Sequence, residues 1–145
     1  EEFDTDTDEV VSVKKVPVMH KDIASYSKRR NPFNRQSVAF RKSFAEKIGG
    51  YSDLKMCEDY EFIARMLQHG AKGQNIPEVL VRYRIDENTV DTRKSWEHTK
   101  AFIRVRWIIH RSGFRDFFMP CALQLGLFIF PRKFTRWVYR TFLRK

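Results

Sequence analysis

The sequence predicts an α/β fold whose last third is helical throughout. Three observations carry this. Of the 145 residues, 42% are hydrophobic and 14% aromatic, enough for one domain with a core of its own. Up to Ile85, short alternating or β-branched runs interleave with stretches of helical periodicity, whereas beyond Trp96 only helical patterns remain. The net charge of +10 is concentrated at the same end. Residues 1–27 carry three Lys/Arg against seven Asp/Glu, residues 28–92 twelve against nine, and residues 93–145 thirteen against two. A basic excess confined to one end, beside the longest apolar run, is not the footprint of a nucleic-acid binder, and no recognition motif for one is present.

Taken in order, Glu1 to Glu9 reads as an acidic, turn-like opening, and Val10 to Val13 as a short strand before Lys14-Lys15 and Pro17. His20 to Lys28 predicts a helix with Ile23 and Tyr26 as its apolar contacts, ended near Pro32, which disfavours a helical Asn31. Ser37 to Arg41 alternates like a strand. Ser43 suits the N-cap of a helix through Ile48 that stops at Gly49-Gly50. The clearest helix is Glu58 to His69, with Tyr60, Ile63, Ala64 and Leu67 on one face and Gly70 just past its end. Val79 to Ile85 is rich in β-branched residues and predicts a strand, followed by a polar loop from Asp86 to Lys94. Helices then follow from Trp96 to Ser112, with Gly113 as the stop, from Phe114 to Phe130, and from Pro131 to Leu143. These elements divide the chain into a mixed strand-and-helix part, 1–94, and a basic, aromatic helical tail, 95–145.

The chain opens on Glu1 with neither a charged n-region nor an apolar h-region, so an internal cut is expected there rather than a natural start. Cys57 and Cys121 lie far apart, with no CxxC and no His at ligand spacing. That excludes the usual cysteine-based zinc sites and makes a reduced, cytoplasmic setting the default.

Five pieces in order carry a resemblance: Arg30-Asn31-Pro32-Phe33-Asn34, Val38-Ala39-Phe40-Arg41-Lys42, Gly49-Gly50-Tyr51, Glu58-Asp59-Tyr60, and Pro77-Glu78-Val79-Leu80-Val81-Arg82-Tyr83-Arg84. Together they resemble family 2 glycosyltransferases, bacterial enzymes of surface-polysaccharide assembly with the GT-A fold, closely over about residues 28–94. The resemblance implies a partial GT-A sheet layer followed by the helical tail. It implies the acceptor-side, C-terminal half of an enzyme that moves a sugar from a nucleotide-sugar donor to a glycan or lipid-linked acceptor, with inversion. The half holding the donor would then lie outside these residues, and this piece alone would be inactive. A divalent cation, Mg or Mn, is implied for the intact enzyme, with its ligands mostly outside this chain and none assigned within it.

Glycosyl transfer by single displacement needs a carboxylate that takes the proton of the acceptor hydroxyl as it attacks the anomeric carbon. Asp59 stands in the first turn of an expected helix, where the dipole favours the anion, and the family resemblance implies that it is the base, with Glu58 beside it. The structural alternative is a pair of ordinary acidic residues at a helix start. Gly49-Gly50-Tyr51 is first a helix stop; by resemblance its loop leads to the acceptor side, so Tyr51 and Asp53 are expected to line it. Arg84 and Arg93, and less strongly Arg82 and Lys94, are candidates to hold the diphosphate, because charge developing on that leaving group needs fixed cations. Where many relatives carry a His after the Asn-Pro-Phe-Asn run, this chain has Arg35, which suits a diphosphate and cannot ligate a cation.

Asp4-Thr5-Asp6-Thr7-Asp8 spells the Asp-x-Asp by which GT-A enzymes bind cation and donor, but only Phe3 before it is apolar, where such a motif closes a buried strand. It reads as a solvated acidic loop. In the tail, the run from Phe117 to Phe130 is shorter than a membrane-spanning helix requires. The stretch after it mixes Phe134, Trp137, Val138, Phe142 and Leu143 with basic residues, a composition suited to lying in the interface of an anionic bilayer. A helical pair packed on the sheet is the alternative. The expectation is an enzyme peripheral to the cytoplasmic face of the plasma membrane; the rival from another class is a non-catalytic basic membrane-binding module.

Overall fold

The structure is a computed structural model describing residues 1–5, 7–85, 95–111, 118, 121–122 and 125–126. Strands β1 (Glu2–Asp4), β2 (Val10–Ser12) and β3 (Tyr83–Ile85) form one sheet in the order β2-β1-β3. β1 is antiparallel to β2, with Glu2 opposite Ser12, and parallel to β3, with Glu2, Phe3 and Asp4 in register with Tyr83, Arg84 and Ile85.

The acidic opening, expected as a turn, therefore supplies the central strand. Acidic residues are poor strand formers by propensity, but this segment gains backbone partners on both sides and the Arg82 guanidinium lies 4.4 Å from the centre of the Phe3 ring. The turn comes after it. Asp8 donates its N–H to Asp4 O at 3.0 Å, Asp4 donates to Glu9 O at 3.0 Å, and Asp8 takes φ 56. β3 is shorter than the expected run from Val79, whose side chain is exposed like that of Leu80, because β1 offers only three residues of register.

No strand forms over 37–41. One 3-10 turn, Arg35–Ser37, is followed by an irregular segment with no strand beside it, and Val38 packs instead on the core formed by α3 (Glu58–Gln68). Helix α1 spans His20–Ser27 and buries Ile23 and Ser27, one turn apart, leaving Tyr26 half-buried. Helix α2 spans Lys42–Lys47, so Ser43 lies inside its first turn and Arg41 is the N-cap residue. Its end is a Schellman turn, with Gly49 N–H on Glu46 O at 3.0 Å and Gly50 N–H on Ala45 O at 2.9 Å. Both glycines have positive φ, +84° and +66°, which a side-chain-bearing residue adopts only under strain.

Helix α3 is the pillar of the fold. Of the expected apolar face, Tyr60, Ile63 and Ala64 are buried and Leu67 partly so, and Glu61, Phe62 and Met66 are buried besides. One flank packs Phe62, Ile63 and Met66 with Ala45; the other packs Tyr60 and Ala64 with Val105 and Ile109 of helix α4 (Trp96–Arg111). Full burial of a side chain such as Phe62 contributes about 1.5–3 kcal/mol. Glu61 is tolerated inside because Arg65, one turn on, holds it at 2.7 Å and also donates to Ile48 O and Gly50 O, tying α3 to the end of α2. Ser95 caps α4, its Oγ accepting the His98 N–H at 3.0 Å.

Within the expected helix from Phe114 to Phe130, Phe118, Cys121, Ala122, Leu125 and Gly126 are helical. The polar loop 86–94, the helix from Pro131 to Leu143 and the rest of the tail lie outside the described residues. Among the described residues no helix is long and apolar enough to cross a membrane.

Candidate active site

The loop after α1 meets the first turn of α3. Asn31 Nδ2 donates to Asp59 Oδ2 at 3.1 Å, while Asn31 Oδ1 accepts the N–H of Phe33 at 3.1 Å, an Asx turn. Pro32 between them is fully buried, and its carbonyl accepts from Asn75 Nδ2 at 3.0 Å, which also donates to Pro17 O at 2.7 Å. Arg35, at the far end of the loop, reaches Glu58 Oε1 with Nη1 at 2.7 Å. The fold thus brings Glu58, Asp59 and Arg35 together with the unforeseen Asn31. Among the described residues Asp59 Oδ1 has no hydrogen-bond partner, so one carboxylate oxygen is held and the other is open to a proton donor.

A buried polar strut fixes this geometry from behind. Tyr60, next to Asp59, donates its hydroxyl to Ser27 O at 2.8 Å and accepts from Arg106 Nη1 at 2.7 Å. Arg106 also donates to Lys28 O, so α4 clamps the end of α1 to the start of α3. Burial pushes the Tyr60 phenol up, with the Arg106 guanidinium pulling against it. The Cys57 thiol, just before Glu58, is pushed up to about 12, first by burial and then by the charges of Asp59 and Glu58, which suits an inert thiol rather than a nucleophile.

The other expected residues make their contacts elsewhere or lie exposed. Tyr51 stacks on Phe62 with ring centres 4.2 Å apart, Asp53 is exposed between α2 and α3, and Arg84 is exposed on β3. No hydrogen bond or ion pair joins any of these three to Glu58 or Asp59 among the described residues. Arg82 is engaged elsewhere, 3.0 Å from Glu1 and 3.3 Å from Asp8; Arg93 and Lys94 lie outside the described residues. The Asp4–Asp8 segment closes on itself, Thr7 N–H on Asp4 Oδ1 at 3.1 Å, with Asp8 turned to Arg82.

A separate groove of about 860 Å³ runs between the 13–18, 33–41 and 70–81 segments, and neither Asn31, Arg35, Glu58 nor Asp59 lines it. This groove and the Glu58-Asp59 pair do not coincide. We assign the candidate site to Asp59, the carboxylate held by a side-chain amide; among the described residues the carboxylates lining the groove are those of Glu1 and Glu78. Among the described residues no three of His, Cys, Asp and Glu gather as a cation site.

Sequence reasoning treated Asn31 as a turn residue and passed over Arg106. The available signals were an amide donor within the quoted Arg-Asn-Pro run, and a lone Arg spaced on the same helical face as Val105 and Ile109.

Comparison with known proteins gives the context of this geometry. The chain is 30% identical over 148 aligned residues to UDP-Gal:alpha-D-GlcNAc-diphosphoundecaprenol beta-1,3-galactosyltransferase of Escherichia coli, covering 100% of the chain and 54% of that protein. It is 31% identical over 147 residues to an uncharacterized glycosyltransferase of Haemophilus influenzae, with 99% and 54% covered. It is 30% identical over 105 residues to the amylovoran biosynthesis glycosyltransferase AmsE of Erwinia amylovora, with 70% and 40% covered. No family model matches the chain, and no solved structure matches it. The chain spans about half the length of the curated relatives it matches, and along its whole length it is similar to bacterial glycosyltransferases.

Proposed function

We propose that this chain is the acceptor-side part of an inverting family 2 glycosyltransferase with a GT-A sheet, acting in bacterial polysaccharide biosynthesis. The observation that carries the reading is Asp59, in the first turn of α3, with Oδ2 held by Asn31 and Oδ1 without a hydrogen-bond partner among the described residues, in a chain similar to glycosyltransferases throughout. Asp59 Oδ1 takes the proton of the acceptor hydroxyl; the acceptor oxygen forms its bond to the anomeric carbon as the bond from that carbon to the diphosphate breaks. The nucleoside diphosphate leaves with the electron pair, on the face opposite the attack. Glu58 holds Arg35 beside the base, and the guanidinium is placed to pass to a diphosphate oxygen when the donor binds. Tyr51 and Asp53 are assigned to the acceptor side, and Arg84 and Arg93 to the diphosphate.

A divalent cation belongs, on this reading, to residues outside those described, and no step above uses one. The acceptor is a glycan or a lipid-linked sugar, consistent with the diphosphoundecaprenol acceptor named for the E. coli relative. The basic, aromatic tail then rests on the cytoplasmic face of the plasma membrane.

The test uses the full-length polypeptide with a panel of radiolabelled nucleotide sugars, UDP-galactose first, and a lipid extract of bacterial membranes. Label should pass to the lipid or glycan fraction. Asp59→Asn keeps the side-chain volume but cannot take a proton, and should lower turnover about a hundred- to ten-thousand-fold with donor affinity nearly unchanged. Glu58→Gln should have the smaller effect. No transfer from any donor would sink the function, and an active Asp59→Asn beside a dead Glu58→Gln would move the base to Glu58.

A further inference from the structure

The geometry points to Asn31 as a positioning residue for the base: its carboxamide fixes the Asp59 carboxylate so that Oδ1, and not Oδ2, meets the acceptor hydroxyl. This rests on the reading of Asp59 as the base. An aspartate has two equivalent oxygens and rotates freely about its last bond unless one oxygen is engaged. Here Asn31 Nδ2 engages Oδ2 at 3.1 Å. An orienting donor is useful only if it is itself fixed, and Asn31 is fixed on both sides. Its Oδ1 is occupied by the Phe33 N–H at 3.1 Å, which determines that the amide nitrogen, and not the oxygen, faces Asp59. Its backbone is held by buried Pro32, whose carbonyl is bound by Asn75, and by the Arg106–Lys28 contact at the end of α1. The partner moves no more easily, since Tyr60 beside Asp59 is bonded to Ser27 O and Arg106. Donor and carboxylate therefore sit on one rigid frame.

The Asx turn alone does not account for an asparagine here. Aspartate and serine make the same turn through a side-chain oxygen, but neither carries a donor of the right length to face a carboxylate while doing so. That difference separates positioning from a merely local role. Asn31→Asp keeps the acceptor for Phe33 N–H and replaces the donor by an oxygen. Asn31→Ser keeps a turn-forming oxygen and falls short of Asp59.

The experiment measures turnover, donor affinity and thermal stability for both variants in the full-length polypeptide, with the donor and acceptor that give transfer in the assay above, alongside Asp59→Asn. A crystal structure of the Asn31→Ser polypeptide records the Asp59 side chain whether or not transfer is found. Turnover should fall about 10- to 100-fold in both variants, with the KM for donor changed less than about threefold and folding retained, as expected when a catalytic group is displaced by a fraction of an ångström to an ångström. The Asp59 carboxylate should be rotated or disordered in the crystal. Wild-type turnover in either variant while Asp59→Asn is dead, or an Asp59 unmoved in the Asn31→Ser crystal, would overturn the role of Asn31 and leave the base in place. An active Asp59→Asn would remove the base itself, a separate failure.

Discussion

Arg106 is the largest fully buried side chain of the described residues, and no carboxylate pairs with it there. Its charge is met by the carbonyl of Lys28 at the end of α1, where the helix dipole is negative, and by the Tyr60 hydroxyl. Arg106→Ala removes both bonds and opens a cavity, so thermal or urea unfolding should show a loss of about 2–4 kcal/mol. Arg106→Met, which keeps the bulk and removes the charge that had to be desolvated, should lose clearly less. Equal losses would mean that only the hydrogen bonds matter. Cys57 offers a test by pH. Its thiol is pushed up to about 12, so the folded state keeps a proton that the unfolded chain releases in the ordinary thiol range. Stability from this group is therefore complete at neutral pH and falls as pH rises from that range toward 12. Iodoacetamide should label Cys57 at pH 8 much more slowly in the native chain than in urea, and equal rates would show that the thiol is not held protonated.

At the scale of elements, the glycine-ended helices decide where the site loops go. Gly70 ends α3 with φ +88 and open space where a Cβ would stand, so Gly70→Ala costs only the left-handed strain, about 1–2 kcal/mol in unfolding experiments. Gly73 has no such φ, but a Cβ there would lie 2.6 Å from Phe33 Cζ. Phe33 is partly buried against the α3 core and donates the backbone N–H that holds Asn31, so a displacement of the ring that carries its backbone along disturbs the Asx turn. Gly73→Ala should lower both stability, by about 1–3 kcal/mol, and turnover of the full-length enzyme, whereas Gly70→Ala should lower stability alone. A Gly73→Ala enzyme with normal turnover would show that Phe33 yields without moving Asn31. Gly49, Gly50 and Gly70 were plain in the sequence as helix stops, whereas Gly73 was not singled out. The strand over 37–41 was misread because alternation predicts a strand only when another strand lies beside it.

At the scale of the whole molecule, the proposal of a membrane-apposed tail rests on charge and composition. The full-length protein should pellet with anionic vesicles and be released by salt, and deletion of 114–145 should abolish this. Binding that is equal for neutral and anionic vesicles at every salt concentration would remove the electrostatic part. By itself the sequence determined the α/β class, helices α1, α3 and α4 nearly to the residue, the glycine stops, and Glu58-Asp59 at a helix start. All of these are set by neighbours within a turn or two, through side-chain periodicity and backbone freedom. Only the tertiary structure decided that the acidic opening is a central strand paired with β3, that Asn31 grips Asp59 across 28 residues, and that Arg106 reaches Lys28 across 78. Such contacts are invisible to local pattern because an acidic strand, an asparagine donor or a buried arginine is favourable only once the partner that satisfies it has been folded into place.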